Sequence, residues 1–114
     1  MYLNGSDILI YRLVYNLVEN AIKYNFSDGT VTVTATQQNS QLHLTVEDTG
    51  NGIPEELKER IFEPFFRLDK SRSRELGGVG LGLALVREIV RVHNGSILVK
   101  NNANSGTTFE VIFP

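Results

Sequence analysis

The sequence predicts a two-layer α/β (α+β) sandwich: a mixed or antiparallel sheet of four to five strands with three helices on one face. Three observations carry this. Residues 7–25 and 81–93 place apolar side chains at three-and-four spacing, the period of a helix with one buried face. Four other segments alternate apolar and polar residues, the period of strands with one face buried. Threonines fill many of the polar positions, which leaves the far face of the sheet to solvent.

The 114 residues allow one domain with a sizeable core and not two, so 1–114 reads as a single unit. Hydrophobic residues make up 41% and charged residues 21%, as in an ordinary soluble globular protein. A net charge of -2 supplies no overall basic field for nucleic acid or an anionic membrane, so any anion site must be local. The lack of cysteine excludes disulfides and thiolate metal sites, and His43 and His93 are too far apart in sequence to suggest a metal pair. No apolar run approaches membrane-spanning length, and no signal peptide precedes the first helix. The abrupt start at Met1-Tyr2-Leu3-Asn4-Gly5 reads as the edge of a piece of a longer protein.

In chain order, Ile10, Leu13, Val14, Leu17, Val18, Ala21 and Ile22 define an amphipathic helix from Asp7 to about Asn25, with Ser6 as its N-cap. Asn16, Asn20 and Lys23, at i, i+4 and i+7, form a narrow polar stripe bordering the apolar arc, with Tyr24 at its boundary. Such a stripe is either solvated or coordinates something polar. Ser27-Asp28-Gly29 is a loop, and Val31, Val33 and Ala35 alternate with threonines as a strand. A polar turn at Gln37–Gln41 leads into a second strand on Leu42, Leu44 and Val46. Pro54 fits the first position of a short helix that carries Glu55 and Glu56 in its first turn. Phe62 and Phe65, in the following Phe-Glu-Pro-Phe-Phe-Arg run, are expected to anchor the core. Residues 67–80, basic and ending in glycines, read as a mobile loop. The loop feeds a helix over Leu81 to about His93, which Asn94-Gly95 stops. Ile97 and Val99, then Phe109, Val111 and Phe113, mark the last two strands, with Thr107 on the inward phase.

Two features point beyond structure. Asp48 shares the inward phase of Leu42, Leu44 and Val46, so a carboxylate is directed into the core edge where Gly50 and Gly52 turn the chain. A buried carboxylate requires donors, either from the protein or from a ligand. Glycines at the start of the 81–93 helix leave backbone N–H groups open to an anion, and phosphate is the natural guest. Seven of the ten glycines (50, 52, 77, 78, 80, 82 and 106) gather in these loop regions. There is no Gly-x-x-x-x-Gly-Lys-Ser/Thr cradle, and Gly78-Val79-Gly80-Leu81-Gly82-Leu83 lacks the third glycine of a dinucleotide fingerprint.

The order of elements instead resembles the ATP-binding catalytic domain of the sensor histidine kinases, which shares the Bergerat-type fold of gyrase, Hsp90 and MutL-type ATPases. Asn16-Leu-Val-Glu-Asn20-Ala-Ile-Lys23-Tyr24 is similar to the N box, Asp48-Thr-Gly50-Asn-Gly52-Ile53 to the first glycine box, and Phe62 to Arg67 to the F box. Gly78 to Leu83 resembles the second glycine box and Ser105-Gly106-Thr107-Thr108-Phe109 the final one.

The resemblance implies a role for each matching position. Asp48 would accept from the adenine amine, with Gly50, Gly52, Ile53 and Thr107 around it. Asn20 would hold the Mg²⁺ that bridges the phosphates, with Asn16 beside it. Lys23 and Arg67 would neutralise phosphate charge, and Tyr24 would flank the nucleotide. Backbone N–H groups of Gly78, Val79, Gly80, Leu81, Gly82 and Leu83 would meet the phosphates under a lid over 67–80. Asn16, Asn20, Lys23 and Arg67 are then the groups that act during transfer. Gyrase-like ATPases carry a water-activating glutamate where this chain has Asn16, and Glu19 points about 100° away from Asn20 around the helix. Transfer to a protein nucleophile is therefore expected; the resemblance implies that it is a histidine on a separate dimerisation domain, followed by a response regulator, and His43 and His93 read as structural.

The resemblance further implies a cytoplasmic position beneath a membrane-anchored sensor, no nucleic-acid partner, and a monomeric domain within a homodimeric parent. Arg12 stands where the family often has an acidic residue. An anti-sigma-type serine kinase of the same fold, or a nucleotide-binding domain without transfer, remains the alternative.

Overall fold

The computed structural model describes residues 5–66, 82–102 and 105–114. Helix α1 spans Asp7–Lys23, followed by strands β1 (Val31–Gln38) and β2 (Gln41–Asp48). Two 3-10 turns come next, at Glu55–Leu57 and Arg60–Phe62, then helix α2 (Gly82–Val92) and strands β3 (Ser96–Asn101) and β4 (Thr107–Phe113). The four strands form one sheet in the order β1-β2-β4-β3, with every pair antiparallel. The described sheet is thus the antiparallel, four-stranded form of the expected sandwich.

One face of the sheet carries the core. Leu44 and Val46 of β2 and Phe109, Val111 and Phe113 of β4 meet Leu13, Leu17 and Ala21 of α1 and Val86, Ile89 and Val90 of α2. Ile61 and Phe62 close one side, with Phe62 edge-on to Phe109 at 6.2 Å between ring centroids. Each of these large side chains contributes on the order of 1.5–3 kcal/mol by leaving water. Strand β1 is the exception to the expected alternation: Val31 is partly buried, but Val33 is 46% exposed. It lies on an edge, and its inward face receives little cover from the helices. The β1–β2 hairpin closes through Asn39 and Ser40, both at positive φ, which suits the right-handed twist of two antiparallel strands.

Helix α1 begins as its sequence predicts. Ser6 Oγ accepts from the Leu9 N–H at 3.3 Å. The Ser6 N–H donates to His93 Nε2 at 3.2 Å, while His93 Nδ1 lies 2.8 Å from the Ile89 carbonyl. A ring that accepts at Nε2 and donates at Nδ1 is neutral, and it ties the start of α1 to the end of α2. His93 also packs edge-on against Phe113, so it is structural, as expected.

The segment after the glycine turn differs in detail. Pro54 precedes the first 3-10 turn with extended ψ (139°), and the turns close through Leu57 N–H to Pro54 O and Glu63 N–H to Arg60 O. The expected short helix is therefore two 3-10 turns, whose tighter winding suits short connectors. Phe62 anchors the core, but Phe65 does not: it is 71% exposed and has φ 67°. Its left-handed backbone turns the chain after Pro64, and Phe66 instead packs inward beneath the Arg60 guanidinium, 4.8 Å from its ring centre. The lid assigned to 67–80 lies outside the described residues.

Candidate functional site

The site starts at Asp48, the last residue of β2, where the strand's inward phase leaves an acid instead of a hydrophobe. Asp48 is only 5% exposed and forms no ion pair among the described residues. Its Oδ1 accepts from the Gly50 N–H at 2.9 Å and the Thr107 N–H at 3.1 Å. Oδ2 has no hydrogen-bond partner among the described residues and is not sealed from solvent. One carboxylate oxygen is therefore engaged by backbone N–H groups, and the other meets no donor among the described residues. Burial pushes the Asp48 carboxyl above its ordinary range, and the two backbone N–H bonds only partly offset this.

Close backbone approaches bring three segments to this acid. A Cβ at Gly50 would lie 2.3 Å from the Tyr24 carbonyl oxygen, so the glycine turn rests on the C-terminus of α1. A Cβ at Gly106 would lie 1.9 Å from the Asp48 carbonyl oxygen, so the β3–β4 turn presses on the end of β2. At the other side, Gly82 at the start of α2 faces Asn16 Oδ1. Asn16 Nδ2 donates to the Arg12 carbonyl at 2.7 Å, which fixes the amide with its oxygen toward Gly82. Asn20 lies one turn further along α1, partly buried.

Among the other expected site residues, Ile53 is buried and Leu83 is partly buried against the core. Thr107 enters through its backbone N–H. Tyr24 forms the C-cap of α1, with its N–H on the Asn20 carbonyl. Lys23 pairs with Glu19 at 3.5 Å along the same helix, and Glu19 also accepts from Tyr15. Glu19 is thereby engaged away from Asn20, as its helical angle predicts. Arg67, Gly78, Val79, Gly80 and Leu81 lie outside the described residues.

Sequence reasoning missed the asparagines that brace the site. Asn25 Nδ2 donates to the Thr30 carbonyl at 2.8 Å, and its Oδ1 accepts from the Phe26 N–H and the Thr49 hydroxyl. Asn101 Oδ1 accepts from the Ile53 N–H at 3.0 Å. Asn102 Nδ2 donates to the Asp48 carbonyl, also at 3.0 Å. Their only sequence signal is that polar residues adjoin glycine-rich turns, which fits any loop.

This geometry has relatives. The profile of the histidine kinase-, DNA gyrase B-, and HSP90-like ATPases matches residues 5–114. The chain belongs to that family. It is 41% identical over 114 residues to sensor histidine kinase RppB of Synechocystis sp., covering 100% of this chain and 25% of that protein. It is 45% identical over 102 residues to signal transduction histidine-protein kinase ArlS of Staphylococcus aureus, covering 90% of this chain and 23% of that protein. The chain thus spans about a quarter of the length of these relatives. Among solved structures, the mycobacterial sensor histidine kinase MprB superposes with a TM-score of 0.85 at 29% identity, over 98% of this chain and 76% of that one. The nucleotide-free catalytic domain of histidine kinase ThkA gives 0.85 at 33% identity, over 98% and 70%. Full-length ShkA, solved in complex with AMPPNP, gives 0.78 at 28% identity, over 93% and 21%. This histidine-kinase-like ATPase domain therefore carries its inward acid on the fold of the kinase catalytic domains.

Proposed function

We propose that this domain binds ATP with Mg²⁺ and donates the γ-phosphoryl group to a histidine on a separate helical dimerisation domain of its parent protein, with ADP as leaving product. The observation that carries this is the Asp48 carboxylate, buried, with no cation paired to it and no donor to Oδ2 among the described residues. The adenine exocyclic amine is the donor that completes it. In this reading Gly50, Gly52, Ile53 and Thr107 frame the base, and Tyr24 flanks the nucleotide. Asn16, Asn20 and Lys23 face the phosphates, with Arg67 and the Gly78-Val79-Gly80-Leu81-Gly82-Leu83 segment completing their cradle.

The donor set suits Mg²⁺. Asn16 and Asn20 offer hard amide oxygens one helical turn apart, and no cluster of three or more acidic or histidine ligands occurs among the described residues. An ion bound there draws its remaining ligands from phosphate and water, as Mg²⁺ prefers, and supplies charge neutralisation. Asn16 cannot serve as a base toward water, and its amide is fastened to the Arg12 carbonyl. This favours a protein acceptor over hydrolysis.

The surface of α1 supports the acceptor's identity. Ile8, Tyr11, Tyr15 and Ile22 recur at helical spacing along the outer side of α1 and are 53–69% exposed. Tyr11 and Tyr15 stack at 6.2 Å, and a cleft between them, Asn16 and Leu85 runs past the start of α2. An apolar seam of this period fits another helix. In this proposal the parent is a homodimeric, membrane-anchored sensor with this domain in the cytoplasm, and a response regulator receives the phosphoryl group next. No described helix is long and apolar enough to cross a membrane.

The test is incubation with γ-labelled ATP and Mg²⁺, with and without the parent's histidine-bearing domain. Label should appear on that domain only, labile to acid and stable to base. Label on this chain alone, or phosphate release without the acceptor, would overturn the assignment.

A further inference from the structure

The β3–β4 turn does more than join two strands. It holds the Asp48–Ile53 segment at four points: Asn102 Nδ2 to the Asp48 carbonyl (3.0 Å), Thr107 N–H to Asp48 Oδ1 (3.1 Å), Gly52 N–H to the Ser105 carbonyl (3.0 Å), and Ile53 N–H to Asn101 Oδ1 (3.0 Å). Asn102 sits at the centre of these contacts. Its Oδ1 accepts from the Gly106 N–H at 3.1 Å, and its Nδ2 also reaches Thr108 Oγ1 at 3.2 Å. Thr108 Oγ1 in turn donates to Glu47 Oε1 at 3.4 Å, on the residue before Asp48.

We propose that Asn102 is a positioning residue for base recognition, orienting Asp48 so that Oδ2 faces the adenine amine. Pinning the Asp48 carbonyl fixes the backbone from which its side chain leaves, and the Oδ1 bonds to Gly50 and Thr107 fix the far end. Gly106 allows the approach, because any Cβ there would collide with the Asp48 carbonyl. With the Asp48 backbone fastened by Asn102 and Oδ1 fastened by Gly50 and Thr107, Oδ2 has one direction left. Selectivity for a base that carries an exocyclic amine then depends on a residue from a different hairpin. The inference rests on the adenine reading of Asp48 given above.

The experiment is isothermal titration of ADP and of IDP, whose hypoxanthine lacks the exocyclic amine, on wild type, Asn102→Ala and Asn102→Asp. Wild type should prefer ADP by roughly ten- to a hundredfold. In Asn102→Ala the ADP affinity should fall to within about threefold of the IDP affinity, with IDP itself changing by less than about twofold. Asn102→Asp is isosteric, keeps the acceptor for the Gly106 N–H and removes the donor to Asp48; it should lose the same preference. A parallel loss of both nucleotides, or a wild-type ADP preference in either folded variant, would overturn the proposal. If wild type itself binds ADP and IDP equally, the adenine reading of Asp48 fails first, and the role of Asn102 falls with it.

Discussion

Asp48 occupies surroundings that oppose its charge in the ligand-free protein. Burial raises its carboxyl pKa, so the folded domain keeps the proton at pH values where the unfolded chain has released it. Stability therefore falls as pH rises from the ordinary aspartate value, about 4, through the raised one. Below that interval the group contributes nothing to the pH dependence, and above it the destabilisation is complete. Asp48→Asn keeps an oxygen for the Gly50 and Thr107 N–H groups but carries no charge. Its Tm at pH 7 should exceed that of wild type, and the gap should close as pH is lowered past the ordinary carboxylate range. The same variant should bind ADP roughly ten- to a hundredfold more weakly by titration calorimetry, since about 1.5–3 kcal/mol of a charged hydrogen bond is lost. The inward direction of Asp48 was legible because strand alternation has a strict period. The bracing of its segment by Asn25, Asn101 and Asn102 was not, because partners 24 to 54 positions apart follow no local period.

Helix α1 has three faces with separate tasks. Leu13, Leu17 and Ala21 enter the core, Asn16 and Asn20 border the site, and Tyr11 and Tyr15 remain on the surface. The three-and-four pattern disclosed the first face, and the N-box asparagines disclosed the second. The third shows only once the core reveals which arc of the helix is already occupied. The helix start is independent of the site. Ser6→Ala should lower unfolding free energy by about 1 kcal/mol in urea melts, through the lost cap to Leu9, and leave ADP affinity unchanged. Phe65 is the converse of Phe62. Aromatic clustering predicts burial for both, yet Phe65 has a positive φ and its ring is exposed. Backbone sign at a single residue is not written in hydropathy.

For the whole molecule, nucleotide binding and phosphoryl transfer divide between surfaces. In the proposed function, the pocket around Asp48 needs only this chain, whereas transfer needs a partner against α1. Tyr11→Glu with Tyr15→Glu should leave ADP affinity within about twofold of wild type, while the rate of labelling of an added phosphoacceptor domain falls by about tenfold or more. Unchanged labelling would place the acceptor elsewhere. Local patterns sufficed for the two long helices, the four strands and the inward acid, because burial in a strand or helix imposes a period that survives in one dimension. Tertiary packing alone decided the all-antiparallel order β1-β2-β4-β3, the exposed edge at Val33 and the lock of the β3–β4 turn on Asp48. Those depend on which segments meet across long stretches of chain, where contact is set by shape and hydrogen-bond satisfaction and leaves no repeat to read.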